Sequence, residues 1–119
     1  MIRRETISYP ISVFMAGDIA AATDYVRRFC DSEGLCVTVT PTSYVYTDGQ
    51  EAGFVIGLIN YPRFPSTPDE LWSTAERLAA YLRERLYQDS YTIQAPDKTI
   101  WISHRSPHDP SIRDTPNGQ

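Results

Sequence analysis

The chain has 119 residues, of which 41% are hydrophobic, 12% aromatic and 22% charged. This length and composition suit one globular domain with a single core, and they exclude a wholly disordered chain. The formal net charge of −4 opposes binding to phosphate backbones, so nucleic acid is not an expected partner.

The sequence contains no stretch of ~18 to 20 consecutive apolar residues, the length that a membrane-spanning helix requires. Residues 1–5 include two arginines and lead into Tyr9 and Pro10, where a signal peptide would have an apolar segment. We therefore expect no membrane association and a cytoplasmic location.

The first predicted strand is Ile11–Ala16, whose β-branched and aromatic residues stop at Gly17. Asp18 can cap a helix, and Gly34 predicts where that helix ends. Apolar residues between them fall on one helical face at Ile19, Ala22, Val26 and Phe29.

Residues 35–40 alternate with period two and predict a second strand. Pro41 has no amide proton, so it marks a bend, a bulge or a sheet edge before the extended pattern resumes. The Asp48-Gly49 pair predicts a hairpin turn, because both residues tolerate positive φ. A third strand is expected from residue 52 to about residue 61.

The clearest local signature is Thr67-Pro68-Asp69-Glu70, a capping box with proline at the first helical position. The spacing of apolar residues behind it predicts a helix that runs to Tyr87. Two short strands follow, at 91–93 and 99–102, with a tight turn at 95–98 between them.

The predicted order is β-α-β-β-α-β-β, an α+β fold of the ferredoxin-like split βαβ type with two helices on one face of the sheet. We expect one domain over residues 1–105 and a flexible, disordered tail over 106–119, which offers little apolar area. One sheet face stays uncovered, which predicts a homodimer. Depending on register, that face carries Thr38, Thr40, Tyr44 and Tyr46, or Val55 and Ile59.

Two cysteines, Cys30 and Cys36, lack the spacing of a redox or zinc site. The favoured interpretation is that both are reduced packing residues, and the alternative is a disulfide between them.

Motifs for nucleophilic catalysis, for zinc peptidases and for nucleotide phosphates are missing from the sequence. His104 and His108 lie close to Asp109, but His108 stands between two prolines in a segment with no core to hold ligands. We therefore expect no metal site, no cofactor and no catalytic residue.

Four aromatic residues could serve a sheet that stacks single-stranded RNA, namely Phe14, Tyr44, Tyr46 and Phe54. The strands carry almost no positive charge and Lys98 is the only lysine, so a core or an interface is favoured for them. Tyr44 and Tyr46 stay candidates for a partner or ligand contact.

The segment of residues 61–65, Tyr-Pro-Arg-Phe-Pro, is the best surface candidate. Its prolines restrict the loop, and Tyr61, Arg63 and Phe64 are residue types favoured in interface anchors. Alternatively, Tyr61 and Phe64 pack onto the core, and Arg63 alone contacts a partner or binds an anion near the helix N-terminus.

Three runs, GLCVTVTPT (residues 34–42), GLINYPRFP (57–65) and PDKTIW (96–101), resemble a group of small uncharacterised proteins of tailed bacteriophages and prophages. The likeness implies a phage accessory protein. The role it favours is a non-enzymatic interaction module that binds a host or phage protein and inhibits a host factor. The alternative is a small-molecule or nucleotide-binding protein, or a hydrolase, that uses Arg63 and a pocket at a subunit boundary.

Overall fold

The structure, a computed structural model, describes residues 1–105. The predicted order of elements is confirmed, whereas the predicted flexible tail, residues 106–119, lies outside the described residues. The elements are β1 (Ile11–Ala16), α1 (Ile19–Glu33), β2 (Thr38–Tyr46), β3 (Gly49–Leu58), α2 (Pro68–Arg85), β4 (Ser90–Gln94) and β5 (Thr99–Ser103).

Both helices begin where the sequence predicts, and α1 ends at Gly34 as predicted, whereas α2 ends at Arg85, short of the predicted Tyr87. Asp18 accepts a hydrogen bond on Oδ2 from the N–H of Ala21 (3.1 Å), and Gly34 closes α1 in the left-handed conformation at φ 72°. Thr67 and Glu70 form the capping box of α2. Local chemistry therefore sets the helix ends, and packing sets which face is buried.

The five strands form one antiparallel sheet in the order β2-β3-β1-β4-β5. The first four strands have the ferredoxin-like arrangement, and β5 extends it as a hairpin partner of β4. In the centre, Val13 of β1 lies opposite Ile56 of β3 on one side and Ile93 of β4 on the other.

The core lies between the sheet and the two helices. Alternate residues of β1 are buried, with Ile11, Val13 and Met15 at most 1% exposed. They pack with the apolar stripes of both helices in one cluster. Phe54 belongs to this cluster and is 0% exposed, so the favoured core assignment is confirmed for it and the alternative role in stacking RNA bases is wrong. Its parity with Ile56 places its ring on the helix side of the sheet.

The boundaries of the second and third strands differ from the prediction. β2 begins at Thr38 and continues through Pro41, which a strand at the sheet edge tolerates because no central ladder bond is lost. The hairpin is confirmed, but its turn lies one residue earlier than expected. Asp48 takes positive φ (65°), while Gly49 pairs with Tyr46 inside the sheet.

The third strand ends at Leu58 because Asn60 redirects the chain. Asn60 is buried, and its Nδ2 donates to the backbone oxygens of Ile7 (2.9 Å) and Ser66 (3.0 Å). Its Oδ1 accepts from the N–H of Ser66 (2.9 Å). This one side chain therefore ties the N-terminal segment to the loop that precedes α2.

Neither helix of the described chain combines the length and the hydropathy needed to cross a membrane. Cys30, which is half-buried, and Cys36, which is exposed, are both free thiols. Within residues 1–105, His, Cys, Asp and Glu side chains form no group of three that could hold a metal ion.

Candidate ligand site on the open sheet face

No element of residues 1–105 covers the sheet face opposite the helices, which is the open face that the sequence predicts. The sequence leaves two sets of residues for this face, and the structure places the β2 set there, namely Thr38, Thr40, Tyr44 and Tyr46. Val55, from the other set, lies on the same face, because it is opposite both Thr40 and Phe14. Ile59 lies beyond the end of β3. The open face carries Ser12, Phe14, Thr38, Thr40, Tyr44, Tyr46, Val55, Thr92, Gln94, Thr99 and Trp101.

Two aromatic side chains stand on either side of a threonine in the middle of this face. Phe14 of β1 lies opposite Thr92 of β4, and Thr92 lies opposite Trp101 of β5. Phe14 is half-buried and Trp101 is 39% exposed. Strands are ~4.8 Å apart, so the two aromatic residues are about 10 Å apart at their Cα atoms, with a slot between them.

We call the first depression on this face the carboxylate groove. Its volume is about 180 Å³. It is lined by Phe14, Met15, Ala16, Tyr44, Glu51, Gln88, Asp89, Ser90, Tyr91, Thr92, Trp101 and Arg105. The carboxylates of Glu51 and Asp89 thus share one concave surface with the half-buried ring of Phe14 and the exposed ring of Trp101.

Tyr44 is fixed against the backbone of the sheet. Its hydroxyl donates to the carbonyl oxygen of Phe54 (2.8 Å). Its ring lies over Gly53, where a Cβ atom would collide with the ring and lie 2.5 Å from the carbonyl oxygen of Met15. Burial, followed by the negative charge of Glu51, raises the pKa of Tyr44 to about 12. Tyr44 is therefore a neutral wall of the groove near neutral pH.

The two carboxylates of the groove differ in their surroundings. Asp89 has a cation beside it, because Nε of Arg105 lies 3.4 Å from its Oδ2. Within residues 1–105, Glu51 forms no ion pair with a lysine or an arginine. Glu51 is therefore the carboxylate that is available to a cationic ligand.

A second depression adjoins the groove, and we call it the Gln94 depression. It is lined by Phe14, Thr92, Gln94 and Thr99, and its volume is also about 180 Å³. Phe14 and Thr92 line both depressions, so the two are continuous across the face. Within residues 1–105, no charged side chain lines the Gln94 depression.

The site residues predicted from sequence divide between this face and a separate loop. Tyr44 lines the carboxylate groove, whereas Tyr46 is exposed near the hairpin turn and lines neither depression. Tyr61, Arg63 and Phe64 lie in the loop before α2 and also line neither depression.

In the loop of residues 61–65, Phe64 does not pack onto the core, which is the alternative expected from the sequence. Phe64 is 71% exposed, so that expectation is wrong for it. The N–H of Phe64 donates to the carbonyl oxygen of Tyr61 (2.9 Å), a turn that carries the ring outward. The guanidinium of Arg63 lies 5.1 Å from the centre of that ring. Tyr61 is half-buried, and its pKa is raised first by a hydrogen bond with Cys36.

Sequence reasoning missed Trp101, Glu51, Asp89 and Gln94 as site residues. The alternation of β5 could have identified Trp101. Ile100 and Ile102 on either side of it pack against the core, so Trp101 lies on the opposite face of the sheet. For the others, the signal is the pairing register, which brings residues from distant parts of the chain together on one face.

Fold and site together define a ferredoxin-like α+β protein with a groove of about 180 Å³ on the sheet face that its helices leave open. The fold is similar to that of a phage SAM lyase in complex with S-methyl-5′-thioadenosine, with a TM-score of 0.67 and 15% sequence identity. A second structure of a phage SAM lyase, in the apo state, gives a TM-score of 0.64 and 12% identity. Each comparison covers 87% of this chain and 95% of the other.

No protein-family model and no curated protein sequence matches the chain. The two structural neighbours are phage proteins, which is consistent with the phage resemblance of the sequence.

Proposed function

We propose that the chain is a phage accessory enzyme that binds S-adenosylmethionine (SAM) in the carboxylate groove and releases S-methyl-5′-thioadenosine. One observation carries the proposal: Glu51, which pairs with no cation in residues 1–105, shares a groove with Phe14 and Trp101 in a fold similar to that of phage SAM lyase. The proposal takes up the small-molecule alternative from the sequence and replaces the non-enzymatic one.

The groove suits the charge of this substrate. SAM carries a positive sulfonium, and cations of this kind are attracted to aromatic faces and to carboxylates. Phe14 and Trp101 offer the faces, and Glu51 offers the charge. The net charge of −4 adds a long-range attraction for a cation.

The reaction follows from the two molecules. Release of S-methyl-5′-thioadenosine breaks the bond between the sulfonium sulfur and Cγ of the amino-acid chain, and the bonding electrons stay on sulfur as a neutral thioether. In one route an oxygen of the fragment's own carboxylate forms a bond to Cγ as the C–S bond breaks, which gives a lactone. In the other route a Cβ proton passes to water, and the electrons of that C–H bond form a double bond between Cβ and Cγ. A lyase adds no water in either case. Removal of SAM deprives host methyl-transferring enzymes of their donor, which gives a phage accessory role.

Glu51 acts in substrate capture in this account. Positive charge on sulfur falls as the bond breaks, so a carboxylate beside it stabilises the bound substrate more than the transition state. The aromatic walls stabilise the transition state more than the bound substrate, because a less polar surrounding favours loss of charge. Loss of the Glu51 charge should therefore raise KM more than it lowers kcat.

The volume of the groove indicates that one chain covers part of the ligand. About 180 Å³ is below the ~300 to 1,000 Å³ of most small-molecule sites. A second copy on the open face would supply the remaining cover, so the homodimer expected from sequence is part of the proposal. Light scattering should give a mass above that of the 13.5 kDa chain. A monomer, both with and without S-methyl-5′-thioadenosine, would remove the dimer from the account.

The test of the function is incubation of the purified chain with SAM, followed by chromatography and mass spectrometry. S-methyl-5′-thioadenosine should appear with an unsaturated amino acid or a lactone. A hydrolase, the alternative from sequence, would give homoserine from the start, heavier by one water. Unchanged SAM after long incubation at high protein concentration would contradict the enzymatic proposal.

A second candidate function, a contact with another protein, rests on exposed apolar residues outside the groove. Phe64 is 71% exposed, Val45 75% and Tyr46 53%. Beside Phe64, Arg63 provides a guanidinium that suits an acidic partner surface. A paired substitution, Arg63→Ala with Phe64→Ser, should leave SAM cleavage unchanged and should abolish capture of the partner. If capture survives the paired substitution, this loop is not the contact.

A further inference from the structure

The Gln94 depression has a geometry that the proposed reaction does not use. Ser12 lies opposite Gln94, and Phe14 lies opposite Thr92, so Phe14 and Gln94 are diagonal neighbours on the same face. Diagonal neighbours of an antiparallel pair are ~7 to 8 Å apart, within reach of one flat ring. Thr99 of β5 lies directly opposite Gln94 and completes the depression.

The polar groups of this depression are unengaged. Neither the carboxamide of Gln94 nor the hydroxyl of Thr99 makes a hydrogen bond with any other residue in the described part of the chain. A carboxamide on an uncharged surface next to an aromatic ring offers a donor and an acceptor in one plane.

We propose that the Gln94 depression is the adenine subsite and that Gln94 determines specificity for adenine; this inference rests on the proposed function. The edge of adenine presents a donor at N6 and an acceptor at N7, which a glutamine carboxamide matches with two hydrogen bonds. The ring of Phe14 provides the surface on which the base stacks. Hypoxanthine presents acceptors at both O6 and N7, so it can form only one of the two bonds.

The charges of the two depressions support the same assignment of adenine to the Gln94 depression and of the sulfonium to the carboxylate groove. Adenine is neutral and needs both a donor and an acceptor, whereas the carboxylates of Glu51 and Asp89 only accept. The sulfonium needs negative charge, which the carboxylate groove has and which the described residues of the Gln94 depression do not supply. Because Phe14 and Thr92 line both depressions, the two adjoin, and a base stacked on Phe14 lies next to the groove proposed to hold the sulfonium.

The experiment is a calorimetric titration with S-methyl-5′-thioadenosine and with its hypoxanthine analogue, S-methyl-5′-thioinosine. The unmodified chain should bind the inosine compound at least tenfold more weakly. Gln94→Leu keeps the size of the side chain and removes both hydrogen bonds, so it should weaken adenosine binding about tenfold and reduce the discrimination to below threefold. The matched control is Gln50→Leu, an exposed glutamine of β3 outside both depressions, which should change neither value.

Each result bears on a different part of the account. Equal affinity of the unmodified chain for both compounds overturns the adenine subsite and leaves the proposed lyase intact, and this comparison needs no variant. Discrimination that persists in a folded Gln94→Leu protein shows that another group reads the base, which also overturns the role of Gln94. No binding of the adenosine compound to the unmodified chain overturns the subsite and the proposed function together.

Discussion

Tyr44 and Glu51 lie directly opposite each other in the β2–β3 hairpin, and both line the carboxylate groove. The hydroxyl of Tyr44 is held by a backbone carbonyl of the same sheet. Glu51 has no such partner and forms no ion pair in residues 1–105. The pair therefore combines a fixed neutral wall with a carboxylate that is available to a ligand.

Glu51→Gln should weaken the use of SAM while leaving product binding intact. For an exposed carboxylate such as Glu51, loss of one opposite charge at contact distance in water costs a ligand ~1 kcal/mol, which corresponds to roughly a fivefold rise in KM. S-methyl-5′-thioadenosine is neutral, so its Kd should change less than twofold. Steady-state kinetics and calorimetry give the two values.

Asp48→Asn is the control for Glu51→Gln. Asp48 lies in the turn of the same hairpin, lines neither depression, and has positive φ that asparagine also tolerates. It removes the same charge from the chain. An equal rise in KM for both variants would mean that net charge, and not the position of Glu51, governs capture.

Two phenylalanines should differ sharply in their contribution to stability. Phe54 is 0% exposed in the core, so Phe54→Ala should cost ~3 to 5 kcal/mol of unfolding free energy, through lost transfer energy and a cavity. Phe64 is 71% exposed, so Phe64→Ala should change stability by less than ~0.5 kcal/mol. Urea unfolding measures both. A large cost for Phe64→Ala would show that the ring packs against the core after all.

Local sequence signals account for most of the fold. The cap at Asp18, the glycine at Gly34 and the capping box of Thr67 and Glu70 place both helices, and each is present as predicted. Period-two alternation also places the strands and the open face. The strand boundaries are less well predicted, because the extended pattern of residues 35–37 lies outside the ladder that begins at Thr38.

The site was harder to predict, because it depends on register and not on local pattern. Glu51, Phe14 and Trp101 come from three strands, and only the pairing of β3 with β1 and of β4 with its two neighbours brings them together. The loop at Arg63 and Phe64 is predicted as a site because it has a local signature of prolines and aromatics. A groove on an open sheet has no such signature, so in the sequence its residues cannot be distinguished from ordinary residues of a strand.

Stability should fall as pH rises from about 10 to about 12. Burial and the charge of Glu51 raise the pKa of Tyr44 from 10.0 to about 12 in the folded chain, so the unfolded chain loses its proton first. The stabilisation is complete below pH 10 and is lost as pH rises through the folded value. Tyr44→Phe should therefore reduce the loss of stability between pH 10 and pH 12. Part of the loss should remain, because the pKa values of Tyr9, Tyr61 and Tyr91 are also raised.

Urea unfolding at pH 8 and pH 11 tests this dependence. Tyr44→Phe should also lose ~0.5 to 1.5 kcal/mol at pH 8, because the hydrogen bond to Phe54 is gone. Tyr87→Phe serves as the control, since Tyr87 is 91% exposed and makes no side-chain hydrogen bond within the described residues. If Tyr44→Phe and the unmodified chain lose equal stability between the two pH values, Tyr44 is not the group responsible.

An NMR titration with S-methyl-5′-thioadenosine shows whether the open sheet face binds an adenosyl ligand. Saturable shifts should concentrate on the amides of β1, β4 and β5 and on the indole N–H of Trp101, while amides on the outer surface of α1 stay unchanged. Shifts centred on residues 61–65, or no shifts at millimolar ligand, would contradict the account.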